Sequence, residues 1–328
     1  AKEAGVSVAT VSKVINDYPH VSRKTREKVK RILEDSQFIP NSAARELVRK
    51  RSMTLGLFLT TGLKHAFFNQ LLIGMEKALK SSGYDLIYLA QVSWDINYSF
   101  VRHCRSRGVE GVLVFGFQRD DLNLDELIEA GIPTVFIDLD LTGPRAGYVT
   151  SDCSLTIREA VRYLHDLNHR RIAMITGHLD SLTGRTRIEA FQAAIAELGL
   201  PLLPEYIAEG DFTKESGTAC MMQLLQLEAP PTAVFCSSDL EAIGAIEAAK
   251  GLGLRVPEDV SVIGFDDIEM AEIYSPALTT IRQDTDRLGR QALELLVELV
   301  RNPECSSPVI VIPTEFIVRQ SSGPAPLE

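Results

Sequence analysis

Residues 4–36 read AGVSVATVSKVINDYPHVSRKTREKVKRILEDS. Ala1–Ala4 reads as the end of a helix that Gly5 stops, because glycine enters the left-handed backbone region without steric cost. Ser7 offers an N-cap oxygen for a second helix, Val8–Asn16. A third helix starts after Ser22 and runs to about Ser36, with Val29, Ile32 and Leu33 on one face. Two short helices joined by a Gly-containing turn, with a third packed behind, form a small all-α helix-turn-helix head. The second helix presents Val8, Ala9, Thr10, Ser12, Lys13 and Asn16. Short side chains let such a helix sit deep in a major groove, where lysine reaches guanine O6 and N7 and Val8 or Ala9 meets a thymine methyl. Ser7, Thr10, Asn16, His20, Ser22 and Thr25 suit phosphate contacts, which set register rather than sequence. The competing reading is a small solvated helical bundle.

Pro40-Asn41 ends the head, and Ser42–Arg51 (SAARELVRKR) is short, basic and helical in propensity. A helix of this length is marginal alone and would order when paired with its twin on DNA. Leu47 could then wedge between base pairs in the minor groove, at an unstacking cost of a few kcal/mol, with Asn41 and Ala44 as further candidate contacts. The alternative is a plain linker helix. Charge supports the DNA reading. The 328-residue chain has net charge −10, yet residues 1–52 hold 12 Lys+Arg against 6 Asp+Glu, a net of +6, and residues 53–328 hold 22 against 38, a net of −16. A basic end on an acidic body marks a polyanion-binding region.

From Leu55 on, apolar strands alternate with amphipathic helices. Strands are expected at Leu55–Leu59, Leu86–Leu89, Gly111–Phe115 and Thr134–Ile137, with a helix from about Phe67 to Ser81 and others between. A second cycle starts near Asp152, with strands at Ile172–Ile175, Tyr206–Glu209, Ala233–Cys236 and Val260–Gly264. Its helices are Leu155–Leu167, Arg187–Leu198, Lys214–Leu225 and Leu240–Gly251. Leu278–Ile281, a helix Arg287–Leu299 and strands within Val309–Val318 follow, and these late elements let the chain recross. Two runs of βα units imply an α/β body of two doubly wound parallel sheets. Ligands in such sheets bind beyond the carboxyl ends of the strands. Phe67 and Phe68, Asp138, Thr176–Arg187 with Arg185 and Arg187, Phe212, Ser237-Ser238-Asp239 and Asp266 all follow apolar runs. Carboxylates accept from sugar hydroxyls, a guanidinium donates to vicinal ones, and aromatic faces pack on pyranose rings. Singly, each has a plainer reading: the phenylalanines as core, Asp239 as a helix N-cap, Asp138 as loop.

The segments AGVSVATVSKVIND, HVSRKTREKV and FIPNSAARELV (residues 4–17, 20–29 and 38–48) closely resemble the head of the lactose-repressor (LacI/GalR) family of bacterial transcription regulators. NHRRIAMITG, PTAVFCSSDLEAIGA, VPEDVSVIGFDD and LTTIRQD (168–177, 231–245, 256–267, 278–284) are similar to landmarks of that family's effector-binding core. The resemblance implies a helix-turn-helix domain at 1–40, a hinge helix and linker at 41–53, and a core of periplasmic-binding-protein type at 54–328. Within that core it implies an N-lobe of about 54–150 and 284–310, a C-lobe of about 151–283 and 311–321, and a tail, 322–328. It further implies an operator-binding dimer with Leu47 as minor-groove wedge. Arg187 and Asp266 would be the main ligand residues, with Phe68, Asp138, Phe212 and Ser238 lining the pocket and Thr183 and Gln283 beside them, while Phe67 joins the candidates from its place after the first strand. This sequence departs from the pattern at Lys13, where many members carry Arg, at Ser238 for Asn, at Cys153 for Asn, and at Thr60-Thr61 for a proline-containing turn. Lysine is a point charge rather than a fork, so base preference at that step differs.

Other classes fit less well. No G-x-G-x-x-G follows a strand, and neither a P-loop nor a G-x-S-x-G elbow occurs. His165 and His169 are four apart but lack H-E-x-x-H and a third ligand, so solvated helix-end histidines are expected rather than a metal site. Asp138 and Asp266 are explained as hydroxyl acceptors without a glycosidase role. The five cysteines, Cys104, Cys153, Cys220, Cys236 and Cys305, form no paired motif and read as buried hydrophobes in a reducing cytoplasm. The first residues lack the apolar segment of a secretory signal, and no apolar run reaches the eighteen or so residues of a membrane helix. The missing Met implies that a few native residues precede Ala1, and Ser321–Glu328 is expected to be disordered. The expectation is therefore a cytoplasmic homodimer without cofactor or enzyme activity, binding a pseudo-palindromic operator under control of a small molecule, a sugar or sugar derivative. The alternatives are control by a protein corepressor and, more remotely, a sugar-binding transport protein. No leucine-heptad extension follows Arg319, which favours a dimer over a coiled-coil tetramer.

Overall fold

The structure, a computed structural model, describes residues 1–15, 17–36, 51–60, 66–91, 98–117, 119, 121–305 and 308–327. The chain divides into two compact units, Ala1–Met53 and Thr54–Glu328. In the first unit, Gly5 N–H donates to Lys2 O at 3.1 Å and Val6 N–H to Ala1 O at 3.3 Å, with Gly5 at φ +64°. This is the Schellman pattern that closes a helix end. Ser7 Oγ accepts the Thr10 N–H at 3.1 Å, and α1 runs Val8–Ile15. Its exit repeats the pattern on Asp17 (φ 54°), with Asp17 N–H donating to Val14 O and Tyr18 N–H to Lys13 O. Ser22 caps α2, Arg23–Asp35, by accepting from the Thr25 N–H. Ala4, Val14 and Val29 form the buried centre, with Val6, Val11, Val21, Ile32 and Leu33 packed around it. Arg26 on α2 donates to Asp17 Oδ1 at 2.8 Å and to Tyr18 O at 2.6 Å, so the turn between the helices is held by the second of them. Residues 37–50, where the hinge helix is expected, lie outside the described residues.

The second unit is an α/β fold whose described strands form one sheet, ordered β2-β1-β3-β4-β5-β11-β10-β9-β8-β6-β7. The strands are β1 (Thr54–Leu59), β2 (Asp85–Tyr88), β3 (Val112–Phe115), β4 (Thr134–Ile137), β5 (Ala146–Asp152), β6 (Ile172–Thr176), β7 (Ile207–Glu209), β8 (Ala233–Cys236), β9 (Ser261–Asp266), β10 (Thr279–Gln283) and β11 (Val309–Ile317). The expectation of two separate parallel sheets is thereby corrected. Val309–Pro313 of β11 pairs in parallel with Tyr148–Asp152 of β5, and Thr314–Ile317 pairs antiparallel with Thr280–Gln283 of β10. One strand joins both ladders. Each half repeats the same order: β2-β1-β3-β4-β5 on one side, β7-β6-β8-β9-β10 on the other. The order reverses between β1 and β3 and between β6 and β8, and crevices at such reversals are where open α/β sheets bind ligands.

Helices cover the strands: α3 (Ala66–Ser82), α4 (Phe100–Arg107), α5 (Leu122–Glu129), α6 (Ser154–Asp166), α7 (Leu182–Glu197), α8 (Lys214–Leu225), α9 (Asp239–Gly251), α10 (Glu269–Ile273) and α11 (Thr285–Arg301). In the first half, Phe58, Phe100, Val112, Leu124 and Phe136 anchor one core cluster, with Phe58 and Phe100 stacked at 4.2 Å. In the second half, Ile157, Phe191 and Phe235 anchor one cluster, and Met221, Ile246 and Val262 another. Two helix pairs cross on glycine. A Cβ on Gly74 of α3 would lie 2.0 Å from Asp286 O, and one on Gly289 of α11 would lie 2.1 Å from Leu71 O. A Cβ on Gly217 of α8 would lie 2.2 Å from Glu241 O, and one on Gly244 of α9 would lie 2.1 Å from Lys214 O. Both crossings are therefore backbone against backbone, and only glycine fits.

Three local expectations are overturned. Helix α7 starts at Leu182, five residues before Arg187, because Ser181 Oγ accepts the Gly184 N–H at 3.0 Å and nucleates the turn. The tail is packed rather than disordered from Ser321 through Ala325. Ser321 O accepts the Val262 N–H at 2.8 Å, Ser321 Oγ donates to Val262 O at 2.6 Å, and Ala325 N–H donates to Leu167 O at 2.8 Å. His169 is not a solvated helix-end residue but fully buried; its Nδ1 lies 2.9 Å from Thr232 Oγ1 and its Nε2 2.9 Å from Gly323 O. The tail thus supplies a polar partner that the buried imidazole needs. Cys104, Cys153, Cys220 and Cys236 are buried, whereas Cys305 is partly exposed.

Burial holds the His169 pKa below its ordinary 6.5. The neutral ring's contribution to stability is therefore complete above pH 6.5 and is lost as pH falls through the lowered folded value. His169→Gln is expected to cost about 1–3 kcal/mol at pH 8. That gap to the wild type should narrow on acidification below pH 6.5, as read by urea unfolding between pH 8 and 5. A gap constant across that range would exclude this role.

Candidate functional site

A cavity of about 750 Å³ opens at the carboxyl ends of both strand sets, within the 300–1,000 Å³ range of small-molecule sites. Phe115 closes β3, Ile137 and Asp138 close β4, and Phe67 enters from the first turn of α3. From the other half come His178 after β6, Thr183 and Arg187 on α7, Phe212 after β7, Ser238 after β8, Asp266 at the end of β9 and Gln283 at the end of β10. Most lie at or just past a strand end, and Phe67, Thr183 and Arg187 on the opening turns of the helices that follow, because the parallel βα turns all emerge on that edge. Asp138, Phe212 and Asp266 have φ of 56°, 67° and 116°. Positive φ costs a non-glycine residue roughly 1–3 kcal/mol, and such residues concentrate at ligand sites.

Arg187 is the central cation. Its Cζ lies 3.7 Å from the Phe265 ring centroid, Nη1 donates to Ser237 O, and Nη2 lies 3.9 Å from Asp266 Oδ1. The stacked ring and the carbonyl fix the plane of the guanidinium. Asp266 Oδ1 accepts from Gln283 Nε2 at 2.7 Å, and Asp138 Oδ1 accepts from Thr150 Oγ1 at 2.8 Å. Burial raises the pKa of both carboxyls, and the charge of Arg187 opposes the rise in each. Gln283 Oε1, Thr176 Oγ1 and Ser237 Oγ are buried and have no hydrogen-bond partner among the described residues. Gln283 lines the cavity, and its buried Oε1 is an acceptor that the described residues leave unused. Phe67 and Phe115 sit with centroids 6.0 Å apart, and Phe212 crosses His178 edge-on at 6.0 Å. The arrangement can hold a polar molecule with vicinal hydroxyls or several N–H and O–H groups between aromatic faces.

The structure brings eight of the nine expected ligand residues to this cavity: Phe67, Asp138, Thr183, Arg187, Phe212, Ser238, Asp266 and Gln283. Phe68 is not in the lining. It is fully buried and stacks on Phe115 at 5.5 Å, supporting the wall from behind. Asp239 is not the cap of α9, which is Ser238. Asp239 is buried, with Oδ2 accepting the Ile268 N–H at 2.8 Å and Oδ1 accepting from Thr280 Oγ1. Thr60 reaches the cavity edge, and its hydroxyl donates to Gly116 O. Thr61 lies outside the described residues. Sequence reasoning missed Phe115, Gln91, Asp211 and Lys214 in the lining, and it covered His178 only as part of the segment Thr176–Arg187. Gln91 follows β2 and would have been found by reading the residues after that strand as well. Phe115 is the last residue of an apolar strand and carries no separate signal.

In the head, Ser7, Val8, Ala9, Lys13, His20 and Ser22 are exposed, and Thr10, Ser12 and Thr25 partly so. Val8 is 75% exposed, an apolar side chain on the outer face of α1. The Ser7 and Ser22 hydroxyls lie 2.9 and 2.8 Å from those of Thr10 and Thr25, so these four also serve the helix caps. Asn16, Asn41, Ala44 and Leu47 lie outside the described residues.

A capped helical head and a parallel-stranded body with a cavity of aromatic and charged residues at its strand ends are the parts of a ligand-responsive bacterial regulator. A family model described as "Bacterial regulatory proteins, lacI family" matches residues 1–41, and one described as "Periplasmic binding protein-like domain" matches residues 161–322. The chain is 34% identical over 324 residues to the probable HTH-type transcriptional repressor ExuR of Bacillus subtilis (strain 168), covering 98% of this chain and 96% of that one. It also resembles a transcriptional regulator CelR–cellobiose complex (TM-score 0.74, 33% identity, 98% of each chain). A lac repressor dimer bound to operator and the anti-inducer ONPF superposes with TM-score 0.83 at 29% identity, covering 98% of this chain and 97% of that one. The chain belongs to the lacI family of bacterial regulatory proteins. No helix among the described residues is long and apolar enough to cross a membrane.

A Cβ at Gly177 would lie 1.9–2.4 Å from the Phe212 ring. Gly177→Ala is therefore expected to displace that ring into the cavity or out of its wall, in a chain that still folds. A crystal structure of the variant with the Phe212 ring unmoved would refute the close fit.

Proposed function

We propose that this protein is a cytoplasmic transcriptional repressor that binds a pseudo-palindromic operator as a homodimer and is controlled by a sugar or sugar derivative held in the cavity. In this reading residues 1–40 read the half-site, with Val8, Ala9 and Lys13 toward base edges and Ser7, Thr10, Ser22 and Thr25 toward phosphates. Residues 41–53 form the hinge, and Leu47 is the minor-groove wedge. The two strand sets act as lobes, 54–150 with 284–310 and 151–283 with 311–321. Ligand changes their relative arrangement, the hinge pair loses register, and operator affinity shifts by the 1–3 kcal/mol typical of allosteric coupling.

The observation that carries this reading is the convergence of Arg187, Asp138, Asp266, Gln283 and Phe212 on one cavity at both points of strand-order reversal. Cellobiose in the CelR complex and ribose in a LacI family transcriptional regulator from Enterococcus faecium support a sugar. Net charge +6 on residues 1–52 supports a phosphate partner, since each neutralised phosphate releases counterions and steepens salt dependence.

Arg187→Ala is expected to leave operator affinity within about twofold while removing the response to the effector found in a sugar panel. Loss of operator binding by the folded, dimeric variant would overturn that assignment. Leu47→Ala is expected to weaken operator binding by about tenfold or more, a loss of ~1.4 kcal/mol or greater, with little change on nonspecific DNA. Equal losses on both DNAs would remove the wedge.

A further inference from the structure

Glu241 stands on the first turn of α9, three residues after the cap Ser238, and its side chain is fully buried. It is not part of the cavity lining. In the usual capping box the acid at this position reaches back to the N–H of its own cap residue. Here it reaches elsewhere. Glu241 Oε1 accepts the Phe212 N–H at 2.8 Å, and Oε2 lies 3.2 Å from Ser238 Oγ. Ser238 Oγ accepts the Glu241 N–H at 3.1 Å and lies 3.2 Å from Phe212 O. Both polar groups of the Phe212 backbone are therefore held from the start of α9, one by Glu241 and one by Ser238. Phe212 needs such restraint because its φ is +67°, and its ring packs edge-on against His178 over Gly177. The carboxyl itself has no slack. A Cβ on Gly210 would lie 2.5 Å from Oε1, and Gly217 lets α8 press on the Glu241 backbone.

We propose that Glu241 is a positioning residue that sets the aromatic wall of the cavity, holding Phe212 and turning the Ser238 hydroxyl away from the ligand space. The inference rests on the reading of this cavity as the effector site only for its functional consequence; the geometry of Phe212 stands independently. Burial pushes the Glu241 carboxyl up to about 8, with the Phe212 N–H, the Ser238 hydroxyl and the charge of Arg187 opposing and Asp266 adding to the rise. When the carboxyl is neutral, Oε2–H donates to Ser238 Oγ, whose own proton goes to Phe212 O. When it ionises, the Ser238 proton turns to Oε2 and Phe212 O loses its donor. The proton state of Glu241 is thus written into both sides of the Phe212 peptide. The other ionisable groups around it are Asp211 beside Phe212, Cys220 on α8, Cys236 on β8 and Asp239 on α9, with His178 against the Phe212 ring.

The test is amide NMR of the full-length protein labelled with ¹⁵N-phenylalanine, the Phe212 signal being assigned by its loss in Phe212→Leu. The Phe212 amide should exchange slowly and shift between pH 6 and 9 with a midpoint near 8. Glu241→Gln, which keeps an acceptor, should retain slow exchange and lose the titration; a titration surviving in this variant would belong to a neighbouring group and would overturn the proposal. Glu241→Leu should speed exchange of this amide at least tenfold relative to the other phenylalanines, and unchanged exchange would also overturn it. In calorimetry with ribose and cellobiose as probes, Glu241→Gln should bind within twofold of the wild type, and Glu241→Leu at least tenfold more weakly. A wild type that binds neither sugar counts against the sugar reading of the cavity, while the Phe212 amide still decides the role of Glu241.

Discussion

The nine residues of β11 hydrogen-bond to both strand sets, five of them in parallel with β5 and four antiparallel with β10. Every other strand of the body belongs to one half. A backbone has only two edges, and β11 spends its length changing which half it completes. Pro313, paired with Asp152, sits at the changeover, where an N–H that a continuing ladder would require is missing. Because the same strand finishes both ladders, two equivalent strand orders are held in one sheet, and the ends of β3, β4, β6, β8 and β9 contribute to a single cavity. The site is thus a consequence of connectivity before it is one of side chains.

Much of this was legible in the chain. Apolar runs such as Ala233–Cys236 and Thr134–Ile137 gave their strands to the residue, because strands buried on both faces are continuously apolar. Reading which polar residues follow such runs then found Asp138, Ser238 and Asp266. What failed has physical causes. Strand β5, AGYVTSD, is only partly buried and mixes small and polar residues, so it carries no run to read. The start of α7 at Leu182 was hidden because Gly184 lies in its first turn and glycine weakens a helical signal, while the Ser181 cap decides the matter locally. The tail SSGPAPL has the composition of a loose end, and only the three-dimensional neighbourhood of His169 and Val262 reveals that its backbone is needed. Phe68 and Phe67 are adjacent in sequence, and no one-dimensional rule says which ring faces the space and which supports it. Within the head, the caps at Ser7 and Ser22 were readable because a serine before a helix has a single dominant use.

The cavity concentrates features that a protein core otherwise avoids: carboxyls with raised pKa, an arginine whose ion pair is long, an amide oxygen without a partner among the described residues, and three non-glycine residues at positive φ. Each is unfavourable alone. Together they describe a surface arranged to complete its hydrogen bonds with something else. The acidic body, at net −16 over residues 53–328, leaves the basic end as the part suited to phosphate.

The glycine crossings have a mechanical consequence. Where Gly217 and Gly244 bring α8 and α9 together, and Gly74 and Gly289 bring α3 and α11 together, main chain meets main chain. Side chains between helices act as springs, since a rotamer change can absorb a small displacement. Peptide planes in contact cannot. Each crossing therefore leaves little room for one helix to shift without its partner. At their starts α9 meets the cavity through Ser238 and Leu240 and α8 through Lys214, so both members of one crossing line the site.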